Sequence, residues 1–478
     1  MKQGIALLEQ FSDADAEWIL ATATERGLAQ GDALIEAGQP LDALFLVVQG
    51  VLGVFADESG TRLATLGPGD MAGEMSFLDA TLPTETVRAL EDSLVMTLPH
   101  TALTARTDEV PEFATRLHRA LARLLSDRLR TANRRLRVSS ETDTTVHVDA
   151  APWQRLDQAL QTFKAALLQA NESAKESGGD VPESVSADIE EQFRAFCPLI
   201  GDVLTEEVDN DRVREEMGLR LQQELLPYIL LAETAERFYS KPRGYAGDFW
   251  TIELMYRNEP KGTGALGKLI DRCFLNVHAV RAVRHRRALL AEEIAKAIDS
   301  SESRTTEITS MACGPARELF DVFATLPDAS RLHANLLDID LQALAFVADE
   351  AKSHGVQRQM TLQAENLIRL AVGKSRTDIK DQDLVYSIGL IDYFGDDLVI
   401  RLLNLVHGML RPGGRVILGN VHPRNPTRGL QDHVLDWQLV HRTEDDMHRL
   451  CESSLFGRPC TNIRFEPEGL NLFAECVR

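Results

Sequence analysis

The chain has 478 residues, 73 acidic and 51 basic, for a formal net charge of −22. That length accommodates two or three domains with sizeable cores, and the negative balance argues against nucleic acid or an anionic membrane as a partner. No run approaches the roughly 20 apolar residues that span a bilayer. The six cysteines (Cys197, Cys273, Cys313, Cys451, Cys460, Cys476) are scattered without a C-x-x-C or a Cys/His pair at ligand spacing. No metal is therefore expected, and buried thiols of a reducing, cytoplasmic compartment are.

From Leu34 to Leu98 short apolar segments alternate with Gly, Pro and Asp, the pattern of a small β-roll. The text A-G-Q-P-L-D-A-L-F-L-V-V-Q-G, followed by L-G-P-G-D-M-A-G-E-M-S-F-L-D, resembles the cyclic nucleotide-binding domain over about residues 5 to 135. The resemblance implies a Gly-Glu pair opening a short phosphate-binding helix, with the Glu on the ribose, and an Arg a few residues on that clamps the cyclic phosphate. Gly73 and Glu74 match the pair, but the arginine position falls on Pro83, followed by Thr84 and Glu85, and Arg88 sits on the next strand. A cyclic nucleotide is therefore not expected. The module reads as a degenerate sensor for regulation or dimerisation, a docking module, or a receptor for something other than a cyclic mononucleotide.

Phe113, Leu117, Leu121, Leu124, Leu129, Ala132 and Leu136 recur at helical spacing with arginines on the other faces, and this stripe predicts a homodimer paired through helix 111–137. A polar linker follows instead of a DNA-reading unit. The expected division is 1–138 for the cyclic nucleotide-binding-like domain with its helix, 139–150 for the linker, 151–290 for a helical cap and substrate loop, and 291–478 for an α/β Rossmann-like domain.

In the helical middle, Trp153, Leu156, Leu160, Phe163 and Leu167 mark one helix, Ile189, Phe193, Phe196 and Ile200 a second, and Leu219 to Ile229 a third. Then F-Y-S-K-P-R-G-Y-A-G-D-F-W crowds Lys241, Arg243, Tyr245, Asp248 and Trp250 around two glycines, a loop loaded for binding. The basic helix Ala279 to Leu290 presents Arg281 and Arg284 either to a ligand carboxylate or to solvent.

The C-terminal part opens on a short apolar strand, Ile308 to Met311, a turn of small residues, Ala312-Cys313-Gly314-Pro315-Ala316, a helix, and a strand ending on Asp338 and Ile339. That is a nucleotide-binding βαβ unit: small residues let a ligand approach the helix N-terminus, and the acid, Asp338 with Asp340 as fallback, bonds ribose hydroxyls. G-x-G-x-x-G is absent, which points away from a dinucleotide. Glu365 and Asn366 end a third strand, which in a methyltransferase-like order would serve the adenine amino group; Ser387 and Gly389 end a fourth, with Asp392 and Tyr393 beyond; M-L-R-P-G-G-R-V-I-L enters a fifth. D-W-Q-L-V-H-R, with Trp437, predicts a helix over the substrate mouth.

This ordered set resembles the class I S-adenosylmethionine-dependent methyltransferases over about residues 290 to 478. K-P-R-G-Y-A-G-D-F with A-C-G-P-A-R-E and I-G-L-I-D-Y-F is similar to the bacterial methyltransferases related to the 3-hydroxypalmitic acid methyl ester synthase, over residues 230 to 478. The resemblance implies S-adenosyl-L-methionine as cofactor and methyl transfer to the carboxylate of a 3-hydroxy fatty acid or related small molecule. A carboxylate acceptor needs no base but needs orienting, for which Arg243 and Tyr245 are the candidates with Lys241 nearby. A hydroxyl or amine would need one, from His422, Asp392 or Asp248. Two alternatives are a protein or peptide acceptor docked by the N-terminal domain, and a non-catalytic sensor.

Overall fold

The computed structural model describes residues 13–56, 62–79, 81–138, 150–176, 181–208, 210–373 and 376–478. All of the linker expected at 139–150 except its last residue lies outside them. The chain builds, in order, a β-roll, a helical layer and a helix-flanked α/β sheet.

The roll sets two antiparallel four-stranded sheets face to face, in the orders β1-β8-β3-β6 and β2-β7-β4-β5. Its strands are β1 (Thr24–Leu28), β2 (Ala33–Ile35), β3 (Ala43–Gln49), β4 (Leu52–Ala56), β5 (Arg62–Leu66), β6 (Met71–Ala72), β7 (Glu85–Ala89) and β8 (Ser93–Pro99). Alternation sends Val47, Leu52, Val87 and Val95 inward and leaves Arg88 outside, the period-two pattern of a strand with one buried face. Between β3 and β4 the chain turns at Gly50, with φ +83° and Ser93 so close that a Cβ would stand 2.3 Å from its Oγ. Only glycine fits there.

Helix Pro111–Val138 follows. Phe113, Leu117, Leu121 and Leu124 are buried in one cluster with Leu44, Leu98 and Leu103 of the roll. The first half of the stripe is thus used within the chain. The side chains of Leu129, Ala132 and Leu136 lie outside the described residues.

Helices Ala150–Glu176, Glu183–Asp202, Asp211–Ile229 and Gly264–Leu275 form the helical layer. Their apolar faces meet in a core holding Leu156, Leu160, Phe163, Phe193, Phe196, Ile200 and Phe274. Phe163 stacks on Phe196 at 5.1 Å and meets Phe193 at 5.5 Å between centroids. Leu430, Val434 and Trp437, from far along the chain, complete the same core.

The C-terminal sheet has seven strands in the order β11-β10-β9-β12-β13-β15-β14: β9 (Thr306–Met311), β10 (Leu332–Asp338), β11 (Met360–Ala364), β12 (Gln382–Ile388), β13 (Leu410–Val421), β14 (Asn462–Phe465) and β15 (Asn471–Val477). Strands β9 to β13 run parallel, with Ile308 opposite both Ala334 and Leu384, and β15 returns antiparallel along β13. Helices cover both faces, His278–Ser300, Arg317–Thr325 and Leu341–His354 on one and Asp396–Met409 and Glu444–Glu452 on the other. Strand order reverses between β9 and β12, where an open α/β sheet leaves a crevice at its carboxyl edge.

Two local features depart from the sequence reading. Residues 436–442 are not a helix. Asp436 is left-handed at φ +51°, and the segment runs extended, with Val440 N–H donating to Asp392 O at 2.7 Å and Arg442 N–H to Val421 O at 3.1 Å. Sheet-like bonding to the Asp392 carbonyl and to the last carbonyl of β13 overrides its helical periodicity. Cys451, Cys460 and Cys476, dispersed in sequence, bring their sulfurs within 4.8 Å of one another. They are buried near the end of β15, at the edge opposite the crevice.

Candidate active site

The turn after β9 carries three left-handed residues. Ala312, Gly314 and Ala316 have φ of +54°, +53° and +48°, and for each alanine that conformation costs about 1–2 kcal/mol. The turn is held open by the acid of the next strand. Asp338 Oδ2 accepts from Gly314 N–H at 2.9 Å and Oδ1 from Asp340 N–H at 2.9 Å. A Cβ added at Gly314 would meet nothing within 4 Å, so this backbone faces free space. Burial pushes the Asp338 carboxyl up to about 6, against the lowering effect of those N–H donors.

Caps arrange the next two strand ends. Asp340 caps helix Leu341–His354, and Asn366 caps the short helix Leu367–Ala371 by accepting from Ile368 and Arg369 N–H. Both are Asx caps of the usual kind. Glu365 N–H donates to Asp338 O at 2.9 Å, tying the third strand end to the second. Ala312, Cys313, Gly314, Pro315, Asp338, Ile339, Glu365, Asn366 and Gly389 consequently line one cavity. Burial pushes the Cys313 thiol well up, so it is a neutral wall.

The opposite wall comes from the helical layer and the segments after β12 and β13. Tyr245, Gly247, Tyr256, Arg286, Asp392, Tyr393 and Trp437 face the same cavity. Trp437 Nε1 donates to Tyr393 Oη at 3.0 Å, and a Cβ at Gly247 would stand 2.8 Å from that oxygen. Burial, reinforced by the nearby Asp338 and Asp340 charges, holds the Tyr245 phenol neutral. Asp392 accepts from Val421 N–H at 2.8 Å, and burial pushes its carboxyl up to about 6. The buried Arg442 fixes the turn carrying Asp392, donating to Ile391 O and to Asn420 Oδ1, each at 2.8 Å.

Five expected site residues are placed elsewhere. Arg243 is bound on both sides of its guanidinium by Asp340 and Glu91. Lys241 donates to Asp436 O at 2.6 Å. Asp248 is fully buried, capping helix Phe249–Arg257 and pairing with Arg237 at 2.9 Å. Ser387 Oγ donates to Met311 O at 2.8 Å and ties β12 to β9. His422 has both ring nitrogens engaged: Nδ1 accepts from Arg424 N–H at 3.0 Å, and Nε2 lies 3.0 Å from Glu444. None of the five lines the cavity. Each answers a buried carboxylate, a carbonyl or a helix end whose demand comes from the fold.

On the basic helix, Arg281 binds Glu468 and Arg284 donates to Leu275 O at 2.7 Å. The arginines that reach the cavity are Arg286 and Arg287. Sequence reasoning also missed Glu318 and Tyr386, whose hydroxyl donates to Glu318 Oε1 at 2.9 Å. The signal for Arg286 was present: Ala279, Val283, Arg286 and Leu290 share one helical face, and all four line the cavity.

Residues 25–108 match the family described as "Cyclic nucleotide-binding domain", and residues 244–463 the family described as "Putative methyltransferase". The chain therefore joins a cyclic nucleotide-binding family domain to a methyltransferase family domain. Among curated proteins it is similar to Glutaminase 2 of Bradyrhizobium diazoefficiens, 34% identical over 27% of this chain and 20% of that one. It is also similar to the Cyclic AMP receptor protein of Thermus thermophilus, 30% identical over 33% of this chain and 73% of that one. The chain spans about a fifth of the length of the two glutaminases it matches. Among solved structures, a "possible exported protein" from Bordetella parapertussis aligns at 20% identity over 71% of this chain and 99% of that one, with a TM-score of 0.39. Among the described residues no helix is long and apolar enough to cross a membrane.

Proposed function

We propose that the protein is an S-adenosylmethionine-dependent methyltransferase that O-methylates the carboxylate of a small acid, a 3-hydroxy fatty acid being the form the family resemblance suggests. In this reading the N-terminal domain is a regulatory or dimerisation module without a cyclic nucleotide. The observation that carries the reading is the convergence of the left-handed Ala312–Ala316 turn, Asp338 and Glu365 on one cavity at the carboxyl edge of the sheet.

The residues fit the cofactor. Free space over Gly314 admits a ligand to the turn backbone, Asp338 would accept from ribose hydroxyls, and Glu365 and Asn366, at the third strand end, would meet an adenine edge. Bound there, S-adenosylmethionine would supply a methyl group on a sulfonium, an electrophile that a carboxylate oxygen attacks without losing a proton. The chain's part is then to bind, orient and exclude water. Tyr245, neutral, is a hydrogen-bond donor at the cavity wall. Ile252, Met255 and Val283 offer an apolar surface to an acyl body, and Trp437, 8% exposed and packed on Phe238 at 5.0 Å, encloses it. Such enclosure favours a small acceptor over a folded protein.

Calorimetry with S-adenosylmethionine tests the reading. Binding is expected, weakened about tenfold or more in Asp338→Ala, since the variant loses charge-assisted bonds to hydroxyls. A wild type that binds no nucleoside would sink the reading.

A further inference from the structure

We infer that Arg286 receives a ligand carboxylate in this cavity, an assignment that rests on the methyltransferase reading above. Two cations line the cavity among the described residues. Arg287 is spent on Asp321, with Nε–Oδ2 and Nη2–Oδ1 both at 2.6 Å. Arg286 is 9% exposed and has no carboxylate within 4.0 Å among the described residues. The neutral Tyr256 hydroxyl lies near it. Asp392 feels the guanidinium only from beyond ion-pairing distance.

A buried cation without an ion pair is strongly disfavoured unless an anion meets it, and here the space for that anion is the cavity. The guanidinium lies against Gly389 at the end of β12: a Cβ there would stand 3.3 Å from Nη1, and its φ of +89° already excludes most side chains. The backbone thus leaves room for the fork. Around it on the same helix stand Ala279, Val283 and Leu290. One charged receptor within an apolar wall selects an acid with an apolar body, and an arginine fork binds a carboxylate in two parallel hydrogen bonds. Such a carboxylate has two sources, the acceptor acid or the amino-acid end of S-adenosylmethionine.

The experiment uses the full chain, as wild type, Arg286→Met and Arg286→Lys. Calorimetry is run with S-adenosylhomocysteine, with 5′-methylthioadenosine, which lacks the carboxylate, and with 3-hydroxypalmitate in the presence of S-adenosylhomocysteine. Arg286→Met is expected to weaken one carboxylate ligand at least about thirtyfold, with partial retention in Arg286→Lys and unchanged affinity for 5′-methylthioadenosine. Loss of S-adenosylhomocysteine affinity assigns the cofactor's carboxylate; loss of 3-hydroxypalmitate alone assigns the acceptor's. Unchanged S-adenosylhomocysteine affinity with no Arg286-dependent acid binding overturns the proposal. So does loss of 5′-methylthioadenosine, which would make Arg286 structural. A wild type that binds neither nucleoside overturns the methyltransferase reading first, before any variant is compared, and this assignment with it.

Discussion

Arg243 grips Asp340 with two parallel bonds, Nε to Oδ2 at 2.6 Å and Nη2 to Oδ1 at 2.7 Å, and its Nη2 also reaches Glu91 Oε1 of the β-roll at 2.9 Å. One guanidinium therefore ties the N-terminal domain to the acid that caps the helix following β10. Arg243→Met should cost about 3 kcal/mol, because it strands the buried Asp340, while Glu91→Gln, at a more exposed site, should cost about 1 kcal/mol or less. Urea denaturation of both variants and of the double variant checks this. Strictly additive losses would mean that the three groups do not act together.

The same seam contains two glycines in backbone contact. A Cβ on Gly244 would stand 2.8 Å from the Cα of Gly67, at a φ of +86°. Gly244→Ala is expected to lose at least about 1 kcal/mol from its backbone conformation alone and to separate the roll from the rest. The melting temperature should fall accordingly. An unchanged melting temperature would contradict the close packing.

Asp392 reverses the usual acid dependence. Its carboxyl titrates near 6 in the fold against 3.8 as the ordinary value, chiefly through burial. The native state then holds the proton that the unfolded chain has released, so this group lowers stability as pH rises from about 4 to 6. Asp392→Asn keeps an acceptor for the Val421 N–H and removes the charge. Relative to wild type, its stability should improve across that window by about 2–3 kcal/mol and level off above pH 7. Chemical denaturation at several pH values measures it, and a constant difference between the two proteins would show that Asp392 ionises freely.

For the N-terminal module, cyclic AMP and cyclic GMP at millimolar concentration should leave the melting temperature unchanged. Glu74 is buried at the start of its short helix, but the phosphate position carries Pro83 and Arg88 points outward. A concentration-dependent rise in melting temperature for either nucleotide would refute this.

The elements legible in sequence were those whose partners are close along the chain. The strand, turn and acid from Ile308 to Asp338 form one βαβ unit, so its residues declared the crevice before any long-range contact was known. Arg243 was misjudged for the opposite reason: its partners lie 97 and 152 residues away, and a loop arginine reads the same whether it meets a ligand or a neighbouring domain. Ser387 was misassigned because β12 is buried on both faces, so alternation did not say which residues look along the sheet edge. On the basic helix the sequence singles out Arg281 and Arg284, whose partners, Glu468 far down the chain and the Leu275 carbonyl, do not show in the pattern. The three gathered cysteines were invisible for a similar reason, since α-helix and β-strand meet there only after the sheet is complete.

The presence of Leu430, Val434 and Trp437 in the core of the helical layer also bears on how the chain is made. Gln222 Nε2 meets Val434 O across 212 residues, so the layer emerges from the ribosome long before the residues that close it. At roughly 5–20 residues per second, that interval is about 10–40 s. During it the Phe238 ring, which packs on Trp437 at 5.0 Å, and the face of helix Asp211–Ile229 that meets residues 430–434 lack their cover. Nascent-chain aggregation, rather than instability of the finished protein, is where substitutions in the 430–437 segment should first be felt.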